Sequence, residues 1–265
     1  MLATRTAEGD HMNHFDLKGR VAVITGGNGG IGLGMGRGLA RAGASIAIAA
    51  RNAAKNRSAV EELKALGSNV IAIEADVLQE ASCRALVDRA AEHFGRLDIL
   101  INNAGIALRK PPQDYTAAEW HRVMDSNLTS AFLCSHAAYP HLKRAGGGKI
   151  IGIGSLLSLM GLPHAVAYAA SKGGLVQMTR SLATAWAKDN IQVNAILPGW
   201  IHTDLTDGAQ REVPGLNERV LTRTSVGRWG EPSDFEAIAV FLAGPGSQFV
   251  TGTAIPVDGG YSIQA

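Results

Sequence analysis

The chain is poor in several things. Cysteine occurs twice in 265 residues, at Cys83 and Cys134, without metal-ligand spacing. That argues against a disulfide scaffold or a zinc module, and reduced thiols in a cytoplasmic protein are the expectation. Net charge is only +2, so no nucleic-acid or anionic-membrane partner is expected. No apolar run approaches the ~18–20 residues that a membrane helix needs. The opening MLATRTAEGDHM lacks the apolar core of a secretory signal. Residues 1–14 read as an extension, disordered or foreign to the native protein, with Met12 as an alternative start. Repeats and low-complexity linkers are absent, so residues 15–265 are expected to form one domain. A hydrophobic fraction of 46% and a charged fraction of 18% belong to a soluble globular chain, long enough to bury a sizeable core.

What the chain has is alternation. Residues 21–25, 44–50, 69–76, 97–102, 149–154, 192–197 and 254–257 are short apolar runs. Between them, helices are expected from the glycine cluster to about 42, and over 53–66, 79–94, 116–143, 167–188 and 233–242. Thr116 is an N-cap with Glu119 three residues on, and Pro140 should bend or shorten that helix. Continuous apolar strands separated by helices predict an α/β fold, a doubly wound parallel sheet of about seven strands of the Rossmann type. Such sheets bind ligands outside their strand C-termini. That edge gathers the glycine cluster, Arg51, Asp76, Asn102 to Gly105, Ser155 and the residues after Pro198.

The first strand runs into Thr25-Gly26-Gly27-Asn28-Gly29-Gly30-Ile31-Gly32. Glycines allow the tight turn and the close approach of a pyrophosphate to a helix N-terminus. The spacing is G-x-x-x-G-x-G and lacks the Lys-Ser/Thr of a P-loop, so a dinucleotide is the expected ligand. Glycine continues at Gly34, Gly36 and Gly38, each about 1 kcal/mol worse than alanine in a helix. Close packing against a neighbour is the expected return, though the neighbour cannot be read. The second strand ends Ala50-Arg51-Asn52. An acid there would accept from a ribose 2′-hydroxyl, whereas Arg51 suits a 2′-phosphate, so NADP is favoured and NAD remains open.

Tyr168 and Lys172 stand four apart, on one face of a helix. An ammonium beside a phenol favours phenolate, lowering a pKa otherwise near ~10. Ser155 ends the preceding strand, so its hydroxyl and the Tyr/Lys face can converge on one substrate oxygen, as acid/base chemistry at an alcohol or ketone requires.

Assembled, the chain resembles the short-chain dehydrogenase/reductase family in its so-called classical branch, from about Leu17 to the C-terminus. The resemblance rests on TGGNGGIG, Asp76-Val77, NNAG, Ser126-Asn127-Leu128, Ser155, YAASK, NAILPG, Thr203 and VDGG, with Ser155 and Tyr168 at the family's 13-residue spacing. It implies an NAD(P)-dependent oxidoreductase in which Tyr168 is general acid/base and Ser155 bonds the substrate oxygen. Lys172 would hold the nicotinamide ribose and lower the phenol's pKa. Asn127 would place a water that links Lys172 to solvent. The cofactor would lie against Gly26, Asn28, Gly30, Ile31 and Gly32 and reach Arg51. Asp76, Val77, Asn103, Ala104 and Gly105 would line its adenosine side, and Pro198, Gly199, Ile201 and Thr203 its carboxamide. Many NADP-preferring relatives carry Lys or Arg before the second motif glycine, where this chain has Gly29, so Arg51 would bear most of the phosphate recognition. A homotetramer, or a homodimer, is implied.

For the small-molecule substrate, the expected lining is Leu156, Leu157, Met160, His164, Trp200 and His202, with a polar, poorly periodic lid over 201–223. No carboxylate clamp is obvious beyond Arg211, Arg219 or Arg223. SLLS, AWAKDNIQVNAILPG and VGRWGEPSD look closest to sugar and sugar-acid dehydrogenases, such as those for gluconate and deoxygluconate. The alternatives are 3-oxoacyl-carrier-protein reductases, for which Arg109-Lys110 could form a docking patch, and xenobiotic carbonyl reductases. A regulatory protein that binds cofactor without turnover is a further one.

Overall fold

The computed structural model describes residues 13–264. The expected extension therefore falls largely outside the described residues. Near its end, the His14 carbonyl accepts a hydrogen bond from Gly246 N–H at 3.2 Å.

Seven strands form one sheet: β1 (Val21–Thr25), β2 (Ser45–Ala50), β3 (Val70–Glu74), β4 (Ile99–Asn102), β5 (Gly148–Ile153), β6 (Ile191–Pro198) and β7 (Ala254–Val257). Their order is β3-β2-β1-β4-β5-β6-β7, and every pairing is parallel. Strand order reverses between β1 and β4, which opens a crevice at their C-terminal ends. The period-two pleat divides the core into two layers. Ala22 and Ile24 join Met35, Leu39, Leu63 and Leu242 on one face. Val21 and Val23 join Leu86, Val87, Ala138 and Leu142 on the other. Both free cysteines are buried in this second layer.

The helices are α1 (Gly30–Arg41), α2 (Ala53–Ala65), α3 (Glu80–Phe94), α4 (Ala117–Met124), α5 (Ser130–Arg144), α6 (Val166–Trp186), α7 (Asp204–Glu212), α8 (Leu216–Arg223) and α9 (Glu236–Ala243). Two differ from expectation. The long helix over 116–143 starts as expected, with Glu119 N–H bonded to Thr116 Oγ1 at 3.2 Å and Thr116 N–H to Glu119 Oε2 at 2.9 Å. It is then divided by a π-helical turn, Asp125–Thr129. Ser126 and Asn127, within that turn, are buried on the same stripe as Val123 and Ser130. Pro140 does not end α5, which runs four residues past it to Arg144. The segment 201–223 folds into two short helices rather than an irregular lid, because Ala209, Leu216 and Val220 bury together against Trp229.

The glycines of α1 now have a neighbour. A Cβ on Gly34 would stand 2.1 Å from the Pro232 carbonyl oxygen, and one on Gly38 2.6 Å from that of Glu236. Helix α1 thus lies directly on the segment leading into α9. A Cβ on Gly36 would meet only Leu63 and Ile24 methyls at 3.4–3.5 Å. At the far end of the sheet, a Cβ on Gly199 would come within 2.8 Å of Asp258 Cα, so the chain leaving β6 rests against the chain leaving β7.

Candidate active site

The glycine loop is built to expose backbone. Gly26 and Gly30 have φ of +63° and +50°, the left-handed region that favours glycine. A Cβ on Gly32 would collide with the Gly26 carbonyl oxygen at 2.4 Å. Helix α1 begins with no side-chain cap and no acid in its first turn. Its free N–H groups and the positive end of its dipole therefore face Gly29, Gly30 and Ile31, which line the crevice. That combination fits a pyrophosphate. Neighbours pin the loop. Asn103 Nδ2 donates to the Thr25 and Gly26 carbonyls, both at 3.0 Å. Thr25 Oγ1 accepts from Asn103 and Ala104 N–H at 3.0 and 3.1 Å. Asn28 Nδ2 donates to Asn56 Oδ1 at 2.7 Å, and Asn56, 3% exposed, bonds the Ala50 carbonyl. Thr25 and Asn103 belong to the TGGNGGIG and NNAG motifs, whereas Asn56 lies in no motif.

Two cavities make up the crevice, sharing Gly26, Asn28, Lys55, Ala104 and Gly105. One, of about 350 Å³, is lined by Arg51, Asp76, Val77, Ala104 and Gly105, as expected for an adenosine half. Lys55 and Arg122 also line it, although sequence reasoning passed over them. The other, of about 280 Å³, runs from the glycine loop past Asn103 to Ser155, Tyr168, Lys172, Pro198, Gly199, Ile201 and Thr203. Lys55 Nζ reaches Asp204 Oδ2 at 2.6 Å, joining α2 to α7 at the rim.

Ser155 stands where β5 ends. Its Oγ accepts from Leu157 N–H at 3.1 Å, and Ser158 Oγ accepts from Ser155 N–H while donating to the Lys172 carbonyl at 2.9 Å. Ser158, the last residue of SLLS, therefore ties the serine to the helix of Tyr168 and Lys172. With one acceptor position of Ser155 taken by a backbone N–H, its own proton remains available to a partner.

Lys172 is 4% exposed and donates to the Ile153 carbonyl at 2.6 Å, with Nζ 5.7 Å from the Tyr168 ring centroid. Burial pulls its pKa down to about 8. Burial also raises the Tyr168 pKa, against opposing contributions from Ser155 hydrogen bonding and the Arg109 charge. The expectation that Lys172 lowers the phenol's pKa is not met here. Desolvation dominates, and the ammonium is held by a carbonyl rather than aimed at the phenol oxygen.

Asn127, 1% exposed, accepts from Ile106 N–H at 2.8 Å and donates to the Ile106 carbonyl and Ser171 Oγ at 2.9 and 3.0 Å. Both its N–H bonds are engaged within the protein, so its side chain braces the β4 exit against α6.

Beyond Tyr168 lies a third cavity of about 160 Å³. Leu156, Leu157, Met160 and Trp200 line it as expected, and so do Arg109, Leu205, Thr206, Arg223 and Tyr261. His164 and His202 are not among its lining residues. His164 is exposed and uses its carbonyl to hold Lys110 N–H. His202 stacks on Trp229, with ring centroids 5.1 Å apart, on the outer side of the lid. Of the three arginines considered for a clamp, only Arg223 lines the cavity.

Residues 26–262 match the family model described as enoyl-(acyl carrier protein) reductase. A short-chain type dehydrogenase/reductase from Mycobacterium marinum superposes with a TM-score of 0.89 at 32% identity, covering 94% of this chain and 97% of that one. The chain belongs to the short-chain dehydrogenase/reductase family. Within it, the chain is 41% identical over 251 residues to a 2-dehydro-3-deoxy-D-gluconate 5-dehydrogenase of Escherichia coli (strain K12), covering 94% of this chain and 98% of the relative. A gluconate 5-dehydrogenase from Burkholderia cenocepacia J2315, solved with NADP and tartrate, superposes with a TM-score of 0.90 at 37% identity, covering 95% and 98%. The protein is accordingly an NAD(P)-dependent oxidoreductase acting on CH–OH groups. Among the described residues no helix is long and apolar enough to cross a membrane.

Proposed function

We propose that the protein interconverts a secondary alcohol and a ketone in a sugar acid, using NADP by preference. The observation that carries the substrate class is the charge of the third cavity. Among the described residues its lining includes two arginines, Arg109 and Arg223, and no acidic side chain. The relatives named for gluconate derivatives support the same class.

The bound nicotinamide supplies or accepts the hydride. In reduction, Ser155 donates a hydrogen bond to the carbonyl oxygen, and Tyr168, kept protonated by burial, hands its proton to that oxygen as charge develops there. In oxidation the phenolate takes it back. Lys172, held by the Ile153 carbonyl, would bind the ribose side. Asn127 keeps Ile106 and Ser171 in place around it, and a water relay to solvent would pass this point. Arg51, with no acid at the end of β2, takes the 2′-phosphate. Residues 201–223 act as the substrate lid.

The acyl-carrier alternative loses its docking patch. Lys110 Nζ is paired to both Glu119 oxygens at 2.8 and 2.9 Å, and Arg109 lines the cavity. The regulatory reading has nothing in its favour while Ser155, Tyr168 and Lys172 stand together. We extend the proposal to a cytoplasmic homotetramer. Phe132 on α5 and Phe249 before β7 are exposed, and both would be covered by such an assembly.

The test is a panel of aldonates, deoxy-aldonates, alditols and simple ketones, run in both directions with both cofactors. Aldonates or their keto forms should give the highest kcat/KM. Tyr168→Phe should lower kcat by about 100–10,000-fold while cofactor affinity changes little. Best turnover on neutral ketones would refute the substrate class, and full activity in Tyr168→Phe would refute the acid/base role.

A further inference from the structure

We infer that Arg223, braced on Tyr261, is the residue that recognises the substrate carboxylate at the end of the cavity remote from the reacting carbon. This deepens the sugar-acid reading and rests on it.

Arg223 closes α8, and its guanidinium carbon sits 4.7 Å from the centroid of the Tyr261 ring. Both residues line the cavity that ends at Ser155 and Tyr168. A guanidinium stacked on an aromatic face is held as a plane, and its N–H edges stay free for a two-point bond to a carboxylate. The backbone that carries the ring is itself fixed. Asp258 accepts from Gly260 N–H at 3.0 Å and from Ser262 N–H at 2.8 Å, and its carbonyl accepts from Tyr261 N–H at 3.2 Å. Gly259 and Gly260 take the positive φ values, +61° and +81°, that this tight turn requires. The turn is also fastened to the end of α8, through Val226 N–H to the Gly259 carbonyl at 3.0 Å and Ser225 Oγ to that of Gly260 at 3.3 Å. The VDGG motif thus gains a purpose: it presents Tyr261 beneath Arg223.

The two arginines of the cavity occupy different stations. Arg223 also borders an open hollow on the outer surface with Gly215, Glu218 and Thr222, so it stands at the mouth of the cavity. Arg109 lines the cavity beside Ser155 and Tyr168, and its charge is felt at the phenol. A substrate that meets both carries its anionic group several carbons from the carbinol being oxidised, as an aldonate oxidised near its other end does.

The experiment measures kcat/KM for the best aldonate of the panel and for the alditol of equal carbon number, in wild type, Arg223→Gln, Arg223→Lys and Tyr261→Leu. In Arg223→Gln the acid-to-alditol ratio should fall about 10–100-fold, chiefly through KM for the acid. Arg223→Lys should recover part of the ratio, since it restores the charge without the fork, and Tyr261→Leu should reduce it by a smaller factor. A cofactor-induced rise in melting temperature in each variant confirms that it is folded. A ratio unchanged in Arg223→Gln, or acid and alditol falling equally, overturns the assignment. If wild type itself shows no preference for acids, the sugar-acid reading fails first and this inference with it.

Discussion

Two lysines, Lys149 and Lys172, are buried with no carboxylate beside them among the described residues. Lys149 Nζ has Ser247 Oγ at 3.1 Å and Lys172 the Ile153 carbonyl. Burial brings both to about 8, helped at Lys149 by the Arg20 charge. The folded-state values lie below the unfolded ones, so between pH 8 and about 10.5 the unfolded chain holds protons that the folded chain has released. Stability contributed by these groups therefore rises with pH across that window. We predict that the urea-unfolding free energy of Lys172→Met climbs less steeply than that of wild type from pH 8 to 10, by up to about 1.4 kcal/mol per pH unit. Identical slopes would mean that Lys172 is not desolvated as described. Above pH 10 the raised Tyr168 pKa works in the opposite direction, which sets the upper limit of the measurement. At this scale legibility depended on distance along the chain. Ser155, Tyr168 and Lys172 were readable because helix periodicity and one strand end bring them together. Arg109 and Tyr261 were not, because only the assembled sheet carries them to the same cavity. His164 and His202 were misread, since sequence proximity to the site does not determine the face on which a side chain emerges.

Among elements, helix α1 shows how a composition that weakens a helix can strengthen its packing. Gly34 faces the Pro232 carbonyl, and Gly36 faces movable methyl groups. Gly34→Ala should destabilise the protein by about 1–3 kcal/mol through overpacking, despite alanine's better propensity. Gly36→Ala should be neutral or stabilising by up to about 1 kcal/mol. Denaturant midpoints for both variants decide the matter, and equal effects would contradict the packing described. The strands were legible to within a residue or two because buried parallel strands are continuous apolar runs. The π-helical turn of Asp125–Thr129 was not. Nothing local distinguishes Asp125-Ser126-Asn127 from a polar stretch on an α-helix; the extra residue is accommodated because Asn127 finds Ile106 and Ser171 inside. Helices α7 and α8 were hidden by a polar composition that masks a narrow apolar stripe.

For the whole molecule, the crevice spans the sheet from Arg51 beyond β2 to Thr203 beyond β6, so a bound cofactor contacts most of the fold and stabilises all of it. NADPH at about 100 times its dissociation constant should add about 2.7 kcal/mol, raising the melting temperature by roughly 5–10 °C for a chain of this size. NADH at the same concentration should raise it less, and Arg51→Ala should narrow that difference. An equal response to both cofactors in wild type would remove the assignment of Arg51 to the 2′-phosphate. The contact between Gly199 and Asp258 has a consequence for how the protein is born. The glycine loop leaves the ribosome long before Asp258, on which the opposite wall of the crevice leans. At ~5–20 residues per second, those two events are separated by something on the order of tens of seconds. A growing chain thus exposes half of a nucleotide site long before it can close one, and cofactor capture waits until Asp258 has emerged.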